Sequence, residues 1–251
     1  MYTALHISAT GLKAQDARIQ SLSQDISNFR TTGYKREEIE FCELMSQSSQ
    51  ENNAFSHPLG KGVKVGSIYK NFQPGVPQMT ENPYDLMIDG NGFFLVQTAR
   101  GEMAYLRSAA FHLDAQGNLQ LRNGAKLIPS IMIPEGSTNV QISKEGEVKI
   151  NAGKEDETIL AQIRIVTFQN ERGLINLGDG LYQATLESGE PIHALPGTQG
   201  AGVILQGALE ESNVDLVSSM MDLIATQRTY EMGTRVMNVV DQMLGATANI
   251  V

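Results

Sequence analysis

Tryptophan is absent from these 251 residues, cysteine occurs once, and aromatic residues make up only 6%. A single thiol, Cys42, can close no internal disulfide and build no cysteine-rich metal site. Long apolar runs are missing too. The longest, Phe93-Phe94-Leu95-Val96, falls far short of the roughly 18 residues a membrane helix needs, so no membrane span is expected. Basic charge is scarce: 19 Lys and Arg stand against 28 Asp and Glu, a formal charge of −9, which excludes the overall basic balance of a nucleic-acid binder. The N-terminal segment is broken by Gln15, Asp16, Arg18, Gln20 and Asp25 and does not read as a secretory signal, so any export is expected without a cleavable signal peptide.

What is present is organised by position. From Leu5, apolar residues recur every seventh place at Leu12, Ile19 and Ile26, with Leu22 and Phe29 on the flank. This heptad stripe predicts a long helix that ends before Gly33. Leu216, Leu223, Tyr230, Met237 and Leu244 repeat the spacing at the other end of the chain, flanked by Met220, Ile224, Val236, Val240 and Met243. Ser212-Asn213-Val214-Asp215 supplies capping side chains for that second helix, and Asp215 suits the positive end of its dipole.

Between the helices the pattern is that of short strands. Residues 111–121 alternate apolar and polar around Gly117, and residues 140–150 repeat the pattern around Gly146, predicting two similar hairpins. Asp89-Gly90-Asn91-Gly92 before Phe93 reads as a hairpin turn, Arg122-Asn123-Gly124 as another, and residues 159–168 as further strand. The expected domains are a discontinuous helical inner domain, 1–45 plus 209–251, a flexible or extended connection at 46–64 rich in Ser, Gln and Asn, and a β-rich outer domain at 65–208. The expected fold class is α+β: long N- and C-terminal α-helices pairing in a coiled-coil-like layer, with a central, mostly antiparallel β domain.

Little in the chain suggests chemistry. His6, His57, His112 and His193 have no metal-binding spacing, and the Gly-rich segments 60–62 and 197–202 lack the context of a phosphate or dinucleotide loop and read as tight turns. Cys42 lies in the acidic stretch Glu40-Phe41-Cys42-Glu43, where neighbouring negative charge opposes its use as a nucleophile. No catalytic residue, cofactor site or metal site is expected, and the chain does not read as an enzyme.

Four segments carry a resemblance. Residues 27–36, Ser-Asn-Phe-Arg-Thr-Thr-Gly-Tyr-Lys-Arg, are similar to the ANxxTxG(F/Y)KR signature of bacterial flagellar rod and hook proteins, with Asn28, Thr31, Gly33, Tyr34 and Lys35 at its defining places. Residues 83–94 resemble the family's DLxIxGxGFF segment, and Tyr105-Leu106-Arg107 through Leu119 the segment that follows it. On the last helix, Ser212 to Asp215, Gln227-Arg228-Thr229-Tyr230-Glu231 and Asp241-Gln242-Met243-Leu244 resemble the SNV(D/N), QRxYE and DQML elements. The order is right and the match spans nearly the whole chain. It departs at Ser27 and Phe29 and in a shortened 46–62 connection.

The resemblance, strongest to the distal rod member, implies a non-enzymatic structural subunit of the basal body. Many copies would self-assemble into a helical tubular shaft crossing the periplasm, the terminal helices lining a channel and the β body forming the outer wall. It implies as partners other rod subunits, the hook protein, surrounding ring proteins and the flagellar export apparatus. Arg228 and Glu231 would bridge neighbouring helices, and Tyr34 and Lys35 would extend along the next subunit. Two alternatives stay open: a proximal rod protein, or a soluble β-rich binding domain whose helices close on each other within one chain.

Overall fold

The computed structural model describes residues 2–45, 60–134, 137, 139–151 and 158–248. The chain forms two compact units: residues 1–28, 36–71 and 214–251 make unit 1, and residues 29–35 and 72–213 make unit 2.

Unit 1 holds helix α1 (Tyr2–Ser27), helix α2 (Leu216–Ala248) and a long antiparallel hairpin of β1 (Glu37–Met45) and β2 (Gly60–Lys70). Asp215 caps α2 by accepting a hydrogen bond from the Val217 amide at 3.1 Å, as its place before the apolar repeat predicts. An isolated two-stranded hairpin is marginal in water, and this one leans on α1, where Thr10 Oγ1 accepts from the Val63 amide at 3.3 Å. Of the connection expected at 46–64, residues 46–59 lie outside the described residues, and Gly60 to Lys64 belong to β2. Gly60-Lys61-Gly62 therefore opens a strand and is not a tight turn.

Among its described residues, unit 2 is built of short strands in four antiparallel sheets. The largest has nine strands, with the order 175–178, 181–183, 103–106, 93–97, 126–128, 119–120, 112–113 and the 165–167/192–194 pair joining at the 93–97 strand. The larger core cluster is mostly aliphatic and joins this sheet to strand 85–89, with Leu86, Ile88, Phe94, Val96, Leu106 and Ile165 essentially excluded from water. A second cluster is aromatic: Phe72, Phe93, Tyr105, Phe168 and Tyr182 meet edge to face, with Phe72 and Tyr182 centroids 4.9 Å apart.

Both hairpins form. His112–Leu113 pairs with Leu119–Gln120, and Val140–Ile142 with Glu147–Ile150. In each, the turn glycine has positive φ, +81° at Gly117 and +83° at Gly146, donates its amide back within the turn, to Asp114 O and Ser143 O, and is crossed later by the returning chain. The Ile133 amide bonds to Gly117 O at 2.9 Å and the Ile163 amide to Gly146 O at 2.8 Å. The sequence repeat is thus a structural one, a hairpin with a later segment of chain laid over its turn.

Two expectations are corrected. The strands flanking Asp89-Gly90-Asn91-Gly92 do not pair: Asp85–Asp89 joins Val203–Gln206 and Ser108–Ala110, whereas Phe93–Gln97 belongs to the nine-stranded sheet. The segment is a crossing between sheets, tight because the Gly90 and Gly202 backbones approach closely and a Cβ at Gly90 would lie 2.8 Å from Gly202 Cα. The fold class is also different. The described residues contain two α-helices and many antiparallel strands in several sheets, so the protein is mostly β, and the helices do not make a coiled-coil-like layer. The reason lies in the residues at the helix contact. Across the two helices the buried positions are Ala14, Ser21, Leu22, Asp25, Ser219 and Thr226, of which only Leu22 is a large apolar side chain of the kind a coiled coil inserts as a knob.

Candidate functional site

Within unit 1, the contact face of α2 repeats at Ser219, Thr226 and Gly233, all small residues. Thr226 satisfies its hydroxyl by donating to Asp222 O at 2.7 Å, so it packs without leaving a buried donor open. The residues of the expected stripe flank this face. Leu216, Leu223, Met237 and Leu244 are half-buried and Tyr230 is 37% exposed; on α1, Leu5, Leu12, Ile19 and Ile26 are half-buried and Leu22 is buried. Asp25, fully buried near the end of α1, accepts from the Glu37 amide at 3.1 Å, and Arg36 pairs with Asp222 at 3.3 Å.

The opposite side of α2 is the unusual one. Successive residues at 100° intervals bring Val217, Met221, Ile224, Met232, Val236, Val239 and Met243 into one line, and all are between 50% and 66% exposed. Arg228 interrupts that line and Glu231 is exposed beside it; Gln227 and Asp241 are exposed elsewhere on the helix. A helix with one apolar face buries it once. A helix with two has a second surface to cover, and scattered single apolar residues do not align this way. The heptad pattern signals the first face; the outward line is legible only when the i, i+4, i+7 positions from Val217 are traced separately.

The family-motif loop belongs to unit 2 from Phe29 onward. Asn28 ends α1 with both its amide and its side chain bonded to Gln24 O. Thr31 accepts from the Tyr34 amide at 3.1 Å, and Gly33, at φ +69°, donates to Glu210 O at 2.7 Å. Lys35, expected to extend along the next subunit, has a partner within its own chain. Its side chain is fully buried and its ammonium lies 2.6 Å from Glu210 Oε1, also fully buried. Arg107 approaches the other carboxylate oxygen at 3.4 Å. Burial pulls the Lys35 amine down to about 8 against the opposing pull of Glu210. The Glu171 carboxyl is pushed up by burial, while Arg107 and Lys35 draw it down. Glu210 carries no sequence signal, because its partner lies 175 residues away.

Among the described residues no group of His, Cys, Asp and Glu could hold a metal ion, and no described helix is long and apolar enough to cross a membrane. Cys42 is exposed.

Residues 87–150 match the model of the flagellar hook protein FlgE/F/G D1 domain, and residues 205–250 that of the flagellar basal body rod FlgEFG protein C-terminal region. The chain is 38% identical over 259 aligned positions to a flagellar basal-body rod protein FlgG of Caulobacter vibrioides, covering 98% of each. The chain belongs to the flagellar basal-body rod protein family. A FlgG from Borreliella burgdorferi is 33% identical and one from Bacillus subtilis 30%, each aligned over 100% of this chain and 99% of its own. The second matched region contains α2, so the double-faced helix falls inside the family's C-terminal module. This is a family of structural components of the flagellar basal body.

Proposed function

We propose that this protein is a structural subunit of the bacterial flagellar rod, of the distal kind, which self-assembles into a helical tubular shaft that transmits torque from motor to hook. The observation that carries the reading beyond family membership is the second, outward apolar line of α2, Val217 to Met243. A monomer gains nothing by exposing it, whereas a neighbouring copy covers it and recovers the free energy of apolar burial, about 25 cal/mol per Å² removed from water. The contact is heterologous, since a self-complementary patch would close as a dimer and stop growth.

In this reading residues 1–45 and 209–251 form the inner, tube-forming layer and residues 65–208 the outer wall. Arg228, set within the apolar line, and Glu231 beside it contribute charge pairing between copies, while Gln227 and Asp241 lie off that line. Other rod subunits, the hook protein and the surrounding rings are the neighbours. The subunit reaches the rod, which crosses the periplasm, through the flagellum's own export apparatus. The reading calls for no catalysis, metal or cofactor.

Electron microscopy of the concentrated protein tests it. Straight tubes or rods are the expected outcome; compact, non-growing particles at every concentration would refute the assembly reading and favour a closed binding domain.

A further inference from the structure

Unit 2 meets the rest of the chain through three stretches: 29–35, the segment beginning at Phe72, and the segment ending at Asn213. One carboxylate touches all of them. Glu210 Oε1 accepts from Lys35 Nζ at 2.6 Å and from the Gly75 amide at 2.8 Å. Its backbone oxygen accepts from the Gly33 amide at 2.7 Å, and its own amide donates to Ser108 Oγ at 2.9 Å. Gln73 O closes the circuit, receiving Lys35 Nζ at 2.7 Å and Asn213 Nδ2 at 3.2 Å. Glu211 donates to Val76 O at 2.9 Å, and the Gly75 α-carbon lies so close to the Glu211 carbonyl that no side chain fits between them.

The surroundings make this carboxylate hard to replace. Arg107 reaches Oε2, donates through Nη2 to Gly90 O, stands 5.8 Å from the Phe93 ring centroid, and leaves Nη1 with no hydrogen-bond partner among the described residues. Lys35, Arg107 and Glu210 are all excluded from water. Two buried cations thus share one fully buried anion, with the partly buried Glu171 carboxyl as a weaker influence, and removing Glu210 leaves charge undercompensated.

We propose that Glu210 is a latch that makes the three stretches through which the chain enters and leaves unit 2 open and close as one cooperative segment, separately from the unit's sheet core. Local opening of a protein follows its hydrogen-bond networks, and here one residue, Glu210, bonds through its carboxylate to Lys35 and Gly75 and through its backbone oxygen to Gly33. Breaking the carboxylate's bonds frees 29–35, 72–75 and 211–213 together, while 208–210, laddered to 77–79, and strands such as 93–97 and 103–106, held by their own ladder and core, stay shut.

Native-state amide hydrogen exchange on the full-length protein tests this. In Glu210→Gln, the Gly33 and Gly75 amides lose protection together by about tenfold or more, Gly75 because its charge-assisted bond becomes a neutral one and Gly33 because the Lys35 tether that holds 29–35 against Glu210 is weakened. The Ile133 and Ile163 amides, bonded across the two hairpin turns, keep their wild-type rates. Unchanged protection at Gly33 and Gly75 overturns the latch, and so does an equal loss at Ile133 and Ile163, which would mean general destabilisation. If Glu210→Gln does not fold, Lys35→Met gives the same reading, since it leaves the Glu210–Arg107 pair and the Gly75 bond in place. Joint loss at Gly33 and Gly75 supports one segment, and loss at Gly33 alone overturns it.

Discussion

Gly233 of α2 faces Leu12 of α1 so closely that a Cβ built on it would lie 2.9 Å from Leu12 Cδ2. The neighbour is the far end of a flexible side chain, so the sign of a substitution depends on its size. Gly233→Ala gains about 1 kcal/mol of helix propensity against a small shift of Leu12 and is expected to be nearly neutral. Gly233→Leu overpacks the contact and is expected to cost unit 1 about 1–3 kcal/mol. Thermal unfolding of the two variants followed by helical circular dichroism checks the contrast.

The hairpin glycines should be far less tolerant. Gly146→Ala would place a methyl 2.6 Å from the Ile163 carbonyl oxygen, a backbone atom of the buried residue bonded across the turn, and at a φ of +83°. About 1–3 kcal/mol for the backbone strain adds to that clash. Gly101, at φ +86° with nothing within 4 Å of its Cβ position, is the control that isolates the strain. Denaturant midpoints should fall more for Gly146→Ala than for Gly101→Ala; equal losses would show that the returning chain does not matter.

Lys35 gives a pH signature. Its amine titrates at about 8 in the folded protein, below the ordinary 10.5 that applies to the unfolded chain. Below pH 8 both states hold the proton and stability is flat with respect to this group. Between about 8 and 10.5 only the unfolded chain does, so stability rises with pH. A Lys35 ¹³Cε resonance shifting near pH 8 is expected, together with a rise in the urea midpoint across that window that disappears in Lys35→Met.

Assembly should depend on the outward line of α2 more cleanly than on its half-buried stripe. Met221→Asp or Val239→Asp places a charge on a surface that is open in the monomer, leaving the helical signal intact while abolishing growth in sedimentation and microscopy. Leu223→Asp and Met237→Asp also block growth, but they disturb the α1 contact as well and should lower the helical melting temperature. Rods of normal length from Met221→Asp would remove α2's outer face from the assembly.

Local signals account for what was legible in the sequence. The two terminal helices follow from seven-residue spacing and the Asp215 cap, and the paired hairpins from Gly117 and Gly146 inside alternating strands. What failed depended on distance. Heptad spacing fixes a helix but not which of its faces meets the partner, and the small residues Ser219, Thr226 and Gly233 took that role. The Gly90–Gly92 turn looked like a hairpin because the strands on both sides are apolar, yet their ladders close with strands from elsewhere in the chain. Lys35 was legible as a motif member and illegible as half of a buried pair.

The composition of unit 1 also has a consequence in time. Its first helix comes from the opening of the chain and its second from the close, with all of unit 2's main body between them. A chain that emerges from its N-terminus, whether from a ribosome or through a narrow conduit, cannot complete this unit until its final residues are free. Unit 2 can close its sheets earlier, while α1 waits with its contact face uncovered. Completion of the helical surface is therefore the last folding event, so a truncated or stalled chain never acquires the finished growth surface.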